Sequence, residues 1–372
     1  MIPFNKASLA GNELAYITEA LDNMHIAGDG AFTRACDEFL QRQTGAARAL
    51  LTTNCTHALE MTAHLLRLQP GDEVIMPSFT FVSTANAYVL RGAVPVFVDI
   101  RPDTLNIDER LVEAAITPRT KAIVVVHYAG VACEMDAICA IAQRRGIPLI
   151  EDNAHGLFAT YAGRPLGSFG ALATQSFHET KNVTCGEGGA LLINDPQYIE
   201  AAEIVREKGT NRARFFRGQV DKYTWVDAGS SYLPSEILAA FLLAQFEAAG
   251  HIQDARLRIW QRYARELADW ARQRGVQLPT VPANCEHPAH IFYLLLPDLE
   301  QRGRFIAHMR ARGVDTVFHY VPLHTSEMGR KLAPGAHCPV TESVSDRLVR
   351  LPLFSTLSEQ DQTQAIEAVR AF

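Results

Sequence analysis

Gln175-Ser176-Phe177-His178-Glu179-Thr180-Lys181-Asn182 is followed almost at once by Gly186-Glu187-Gly188-Gly189, and Ile150-Glu151-Asp152 lies upstream, its aspartate twenty-nine residues before Lys181. Pro148-Leu149-Ile150 is apolar and runs straight into the two acids, the pattern of a buried strand ending in polar residues. An acid at a strand end and a lysine in a turn lined by Ser, Thr and His are what pyridoxal-phosphate chemistry needs. The lysine amine forms a Schiff base with the cofactor aldehyde. The carboxylate pairs with the pyridinium nitrogen and keeps it protonated, so that the ring acts as an electron sink.

Working outward, short apolar runs alternate with helical patterns from residue 45 to about 195. The strand candidates are Ala49–Thr53, Glu73–Met76, Val94–Val98, Ala122–Val126, Leu149–Glu151, Thr174–Phe177 and Ala190–Ile193. Between them lie helical patterns such as His57–Leu68, where Leu59, Leu65 and Leu66 share one face. The alternation predicts an α/β domain on one largely parallel, seven-stranded sheet. After about residue 245 the texture changes. An Ala/Arg/Leu-rich helical stretch over Ile237–Arg274 leads to a strand at Ile291–Leu296, a helix at Leu299–Arg312 and a second strand at Thr316–Tyr320. Terminal helices are expected at Glu342–Arg350 and Glu359–Ala371. The expectation is a large domain over 1–245 and a smaller α+β domain over 246–372.

Two further segments, which alone would read as an ordinary helix cap and as core aromatics, can serve the same chemistry when taken with Lys181. Thr52-Thr53-Asn54-Cys55-Thr56-His57 lies between a strand and a helix, where backbone N–H groups and hydroxyls gather at a helix N-terminus and suit a phosphate. Pro77-Ser78-Phe79-Thr80-Phe81 follows another strand, and an aromatic there can stack on a planar ring; Phe79 and Phe81 are both candidates. His155, in Asp152-Asn153-Ala154-His155, can hydrogen-bond a cofactor oxygen or cover a ring face. The basic stretch Arg206–Lys222, with Arg212, Arg214, Arg217 and Lys222 and the aromatics Phe215, Phe216, Tyr223 and Trp225, has the chemistry to hold a diphosphate and stack a base, or to pack against a second subunit.

Other chemistries are disfavoured. His178-Glu179 lacks the second histidine of HExxH, because position 182 is Asn, and no cysteine cluster has zinc spacing. No GxGxxG joins a strand to a helix, and Gly186-Glu187-Gly188-Gly189 reads as a turn beneath the lysine. A net charge of −6 argues against nucleic acid. No apolar run approaches the length of a membrane span. Seven scattered cysteines without CxxC spacing, and no basic-then-apolar opening segment, lead to the expectation of a cytoplasmic enzyme with reduced thiols.

These segments together resemble the DegT/DnrJ/EryC1/StrS sugar-nucleotide aminotransferases. The likeness runs from Gly28-Asp29-Gly30 through Pro70–Ile75, Val126-His127-Tyr128-Ala129-Gly130 and the lysine segment to His319–His324 and Leu351-Pro352-Leu353-Phe354. It implies the type I, aspartate-aminotransferase-like fold and a homodimer with shared active sites. It further implies transfer of an amino group from L-glutamate to a dTDP-linked keto sugar. By position, Lys181 resembles the Schiff-base lysine, Asp152 the pyridine-nitrogen partner and His155 the residue near the phenolic oxygen. Thr56, His57 and Ser176 resemble phosphate positions, and Phe81 the stacking aromatic. The basic loop, with Arg212, Arg214, Arg217, Lys222 and Tyr223, is similar to the segment that crosses to the neighbouring subunit, and His319 and His324 fall among substrate positions. The family's frequent Gly-Thr-Ser is Cys55-Thr56-His57 here, so position 57 is expected to contribute backbone rather than hydroxyl. The frequent Asn-Tyr-Arg is Ser231-Tyr232-Leu233, leaving Ser231 as the weaker cross-subunit contact. Relatives that act as dehydratases carry His in place of the lysine, which Lys181 argues against.

Overall fold

A computed structural model describes residues 1–372. The chain opens with helices α1 (Glu13–Asp22) and α2 (Ala31–Thr44) and then alternates: β1 (Arg48–Thr52), α3 (Cys55–Leu65), β2 (Glu73–Pro77), α4 (Val82–Val89), β3 (Val94–Val98), α5 (Glu109–Val112), β4 (Thr120–Val126), α6 (Met135–Arg145) and β5 (Leu149–Asp152). Two short strands, β6 (Thr160–Tyr161) and β7 (Arg164–Pro165), precede β8 (Leu172–Ser176) and β9 (Gly189–Ile193). Next come α7 (Ile199–Arg206), α8 (Arg212–Phe216), α9 (Glu236–Glu247) and α10 (Ala249–Arg274). The remainder is β10 (Cys285–Glu286), β11 (Phe292–Leu295), α11 (Leu299–Ala311), α12 (Glu327–Leu332), α13 (Pro339–Arg347), β12 (Leu348–Leu351) and α14 (Glu359–Arg370).

The main sheet has seven strands in the order β1-β9-β8-β5-β4-β2-β3. Only β9 runs against the rest, pairing antiparallel with both β1 and β8. Alternate side chains leave the strands on opposite faces, and both faces are covered by helices. Leu50, Val74, Met76, Val124 and Ile150 pack on one side with Ala58, Leu59 and Met61 of α3. Ile75, Ile123 and Val125 pack on the other with Ile138 and Ile141 of α6, while Leu51, Ala173 and Leu192 meet Phe246 of α9. Burial on both faces is why these strands read as unbroken apolar runs.

The C-terminal part has its own core, in which Tyr263 and Leu267 of α10 meet Phe292, Phe305, Val349 and Ile366. Ile2 joins that core through a parallel bridge to Val314, so the first residues of the chain pack with its last third. The helical stretch expected over Ile237–Arg274 is two helices, broken at Ala248. The strand partner of β11 is β12, in the antiparallel register Phe292↔Leu351 to Leu295↔Leu348. The expected strand at Thr316–Tyr320 is irregular apart from one bridge, Val317↔Arg350, and the expected helix at Glu342–Arg350 ends at Arg347. The cause is tertiary: Leu348-Val349-Arg350-Leu351 seats its leucines and Val349 in the core, whereas His319 and Tyr320 turn towards a cavity.

Candidate active site

The carboxyl ends of β1, β5 and β8 converge on one cavity of about 470 Å³, with the β2–α4 and β4 segments contributing to its wall. This is where an open α/β sheet receives ligands, because its loops and helix N-termini face the crevice there. Lys181 and Asp152 both line it, as do Thr56, Phe81, His155, Ser176 and His319.

Asp152 ends β5 as a buried carboxylate. Thr84 Oγ1 donates to its Oδ2 at 2.7 Å, and the Ala154 N–H donates to Oδ1 at 3.2 Å. Thr80 and Thr84 share a hydroxyl contact at 2.8 Å behind it. Burial nevertheless raises the Asp152 pKa from its ordinary value, so the charged form wants a cationic partner. Lys181 lies in the turn between β8 and β9, and burial lowers its amine to about 8. At pH 7 that leaves about a tenth of it neutral and nucleophilic, roughly 300-fold more than a lysine at its ordinary value. Gly186, in the left-handed region at φ +85°, turns the chain after the lysine. Gly189 lets β9 pass the start of α3, since a Cβ there would meet the Asn54 carbonyl carbon at 2.3 Å.

Two helix N-termini border the cavity. Asn54 caps α3 by accepting the His57 N–H at 2.8 Å. Thr56 of α3 and Ser83 of α4 join hydroxyls at 2.7 Å, and both face the cavity with Ser176. His57 does not line it. Its N–H serves the cap, its ring nitrogen Nδ1 is bonded to Thr53 Oγ1, and the ring packs edge-on against Tyr232. Ser83, not named from the sequence, lines the cavity whereas His57 does not, and its spacing from Thr56 carried no local signal.

Phe79 and Phe81 part company. Phe79 is a core residue against Tyr128 and Tyr320, whereas Phe81 is 57% exposed at the start of α4 and lines the cavity. His155 is buried, and its Nδ1 has no partner within the chain. Its ring lies near those of His290 and His319, and burial holds all three well below the ordinary histidine value, hence neutral. Tyr128 Oη meets His319 Nδ1 at 3.2 Å, and His290 Nδ1 meets Asn182, the neighbour of Lys181, at 2.9 Å. Arg350, absent from the sequence reading, also lines the cavity; a lone arginine in an apolar strand was its only signal.

The remaining sequence candidates lie elsewhere on this protomer. His324 is buried between Ser78 and Glu342, with both ring nitrogens engaged. Arg217 pairs with Glu203 at 2.8 Å, Arg214 with Glu200 at 3.0 Å and Arg212 with Glu207 at 3.8 Å, so α7 and the residue that caps its C-terminus carry the acids that hold the basic loop. Lys222, Tyr223 and Ser231 are exposed. None of these lines the cavity.

A buried amine of lowered pKa, a buried carboxylate short of a cation and an orphaned histidine nitrogen match the aldehyde, ring nitrogen and phenolic oxygen of pyridoxal phosphate. The comparisons with known proteins support that cofactor. The family model described as the DegT/DnrJ/EryC1/StrS aminotransferase family matches residues 7–370. The chain belongs to this family. TlmJ, an aminotransferase from Streptoalloteichus hindustanus, is 30% identical with a TM-score of 0.91, covering 100% of this chain and 98% of that one. DesV of S. venezuelae is also 30% identical, with a TM-score of 0.89 and the same coverage. The putative sugar aminotransferase Spr1654 of Streptococcus pneumoniae, in its PMP form, is 26% identical with a TM-score of 0.92, again over 100% and 98%. The protein is therefore a pyridoxal-phosphate-dependent aminotransferase of the type I fold. No helix is long and apolar enough to cross a membrane.

Proposed function

We propose that the enzyme moves an amino group from L-glutamate to C4 of dTDP-4-keto-6-deoxy-D-glucose, giving dTDP-4-amino-4,6-dideoxy-D-galactose for cell-surface glycans such as enterobacterial common antigen or O-antigen. The observation that carries this reading is the likeness of four strings to the aminotransferase of that pathway: PSFTFVSTANA (77–87), VHYAGVACEMD (126–136), FHETKN (177–182) and FFRGQVDKYTW (215–225). Three of them supply cavity residues, including Thr84, Val126 and Lys181. The alternative is the same chemistry on another nucleotide-linked keto sugar, with a different position or stereochemistry.

The residues divide the work as follows. Pyridoxal phosphate, when bound, supplies the electron sink for charge developing at the donor α-carbon. Asp152, fixed by Thr84 and Ala154, would hold positive charge on the ring nitrogen, and the unpartnered His155 Nδ1 would serve the phenolic oxygen. Thr56, Ser83 and Ser176, which line the cavity, would bind the phosphate, and Phe81 would cover a ring face. Lys181 holds the cofactor between turnovers. Once displaced by the donor, its buried amine, whose pKa burial lowers, would be placed to carry the proton from the α-carbon and back.

We further propose a cytoplasmic homodimer in which Arg212, Arg214, Arg217, Lys222, Tyr223 and Ser231 serve the neighbouring subunit's site. The exposed Phe216, Tyr223 and Trp225 of the same loop fit that role. The test is a coupled assay with dTDP-4-keto-6-deoxyglucose and L-glutamate, with NMR of the product. An axial C4 amine supports the assignment; an equatorial amine, or no product, transfers it to the alternative.

A further inference from the structure

Ser78, His324 and Glu342 come from three distant segments and form one chain of side-chain hydrogen bonds. Ser78, directly after β2, and His324 are both buried. Ser78 Oγ lies 2.7 Å from His324 Nδ1, and His324 Nε2 lies 3.0 Å from Glu342 Oε1. The partners fix the proton positions. Ser78 Oγ already accepts the His324 backbone N–H at 3.1 Å, so its own hydrogen goes to Nδ1. Nε2 then carries the ring hydrogen and donates it to the Glu342 carboxylate. The Ser78 carbonyl also accepts the Leu323 N–H at 3.1 Å. The end of β2 is thus tied to residues 323–324 across a sequence separation of 246.

The tie matters because the neighbouring chain has no ladder of its own. Residues 318–322 belong to no helix or strand, yet His319 and Tyr320 line the cavity. On one side Val317 O accepts the Arg350 N–H at 2.8 Å, and on the other Ser78 holds 323–324. Between them Ser345 Oγ donates to Tyr320 O. Ser345 and Glu342 share α13, whose N-terminus has no cap from its own N-cap side chain. Asp99 supplies one: its Oδ2 accepts the Val340 N–H and its Oδ1 the Thr341 N–H, both at 2.8 Å. Asp99 follows β3 as Ser78 follows β2, so the contacts form a ring that starts and ends on two paired strands. On the cavity side the Tyr320 ring lies 5.5 Å from that of Phe79 and 6.5 Å from that of Phe81. A shift of 319–324 is therefore passed to the aromatic at the start of α4.

We propose that His324 is a positioning residue for the amino transfer: bonded to Ser78, it sets His319, Tyr320 and Phe81 as one wall of the cofactor cavity. This rests on the reading of Phe81 as the residue that covers the cofactor ring. The two ends of the hydrogen-bond chain are unequal. The Ser78–His324 contact is buried, so losing either partner leaves a polar group that water does not reach. The Glu342 side chain is 48% exposed, and water takes its place at little cost. The position of the segment therefore depends on Nδ1 and Ser78, while Glu342 selects the tautomer that leaves Nδ1 free to accept.

The experiment compares Ser78→Ala, His324→Asn, His324→Gln, the Ser78→Ala/His324→Gln double variant and Phe81→Ala with wild type, all loaded with pyridoxal phosphate. Asn puts an amide oxygen near the Nδ1 position and reaches no further, whereas Gln reaches towards Glu342 and leaves Ser78 without its acceptor. Visible circular dichroism reads the asymmetry of the wall around the bound cofactor. Single turnovers at saturating L-glutamate are counted per bound cofactor, a rate that lowered stability alone leaves unchanged. Ser78→Ala and His324→Gln should each slow that step about 5- to 50-fold and shift the dichroism in the direction of Phe81→Ala. His324→Asn should recover the rate to within about threefold of wild type, and the double variant should fall within about twofold of the slower single. The proposal is overturned if both singles keep the wild-type rate per cofactor and merely melt earlier, if Asn is the slow variant and Gln the fast one, or if the two losses multiply. Should the Gln variants not fold, a slow Ser78→Ala beside a fast His324→Asn supports the proposal, and a Ser78→Ala rate equal to wild type overturns it. Wild-type dichroism in Phe81→Ala would remove the role given to Phe81, and the rates would still decide His324. If wild-type enzyme does not react with glutamate, the donor in the proposed function is wrong, and the dichroism of the Ser78 and His324 variants decides.

Discussion

Replacing Asp152 with Asn should make the cofactor-free protein no less stable while crippling the holoenzyme. The buried carboxylate has two hydrogen bonds, from Thr84 and Ala154, and an amide oxygen keeps either one. What is lost is the charge. Without a cationic partner that charge is a burden, as the raised pKa shows. The folded protein therefore binds the Asp152 proton more tightly than the unfolded chain does. Its contribution to stability is present below the unfolded pKa and is lost as pH rises through the higher folded one. At neutral pH the Asn variant escapes that loss, so apo-protein melting should stay level or rise. With the cofactor bound the sign reverses. Breaking a buried ion pair costs about 3–5 kcal/mol, which corresponds to roughly 10²–10³·⁵ in an equilibrium or rate constant. The loss should be shared between weaker cofactor retention on dialysis and a slower glutamate half-reaction by stopped-flow absorbance. A variant that keeps its cofactor and reacts within about tenfold of wild type would refute the pairing. So would apo-protein destabilised by more than about 1 kcal/mol, since the carboxylate would then be a structural strut.

Two further outcomes follow from named groups. Capture of pyridoxal phosphate by apo-protein should accelerate about tenfold per pH unit up to about pH 8 and then level, because only the neutral Lys181 amine attacks and burial lowers its pKa to about 8; a rise continuing to about pH 10 contradicts this. Phe79→Ala should destabilise the protein by about 3–5 kcal/mol in denaturant melts, since Phe79 is a fully packed core ring. Phe81→Ala should change stability by less than about 0.5 kcal/mol yet weaken cofactor binding, and the opposite ordering would reverse the two roles.

The main sheet was legible because its strands are buried on both faces and each is a short local run: Val94–Val98 matched to the residue, and the others fell within a few residues of their observed ends. The segments carrying Lys181 and Asp152 stand out because the polarity of their contexts is also local, and the fold brings both to one cavity. What escaped depends on contacts between distant segments. Leu348–Leu351 is a strand because β11 and the C-terminal core select it, although it continues a helical pattern. Thr84 reaches Asp152 across sixty-eight positions and Ser83 reaches Thr56 across twenty-seven, with no spacing rule to announce either. Ile2 belongs to a core formed mostly by the last third of the chain. The choice of Phe81 over Phe79 needed the packing of Tyr128 and Tyr320 around the latter.

The central claim is that Lys181 is the amine that carries the cofactor. Borohydride reduction of the pyridoxal-phosphate-loaded protein, followed by peptide mass spectrometry, tests it most directly. The account expects the phosphopyridoxyl group on the peptide containing Lys181, and no label there when L-glutamate is added before the reductant, because the donor has displaced the lysine. Label on Lys6, Lys208 or another lysine, or label on Lys181 that glutamate does not discharge, would contradict it.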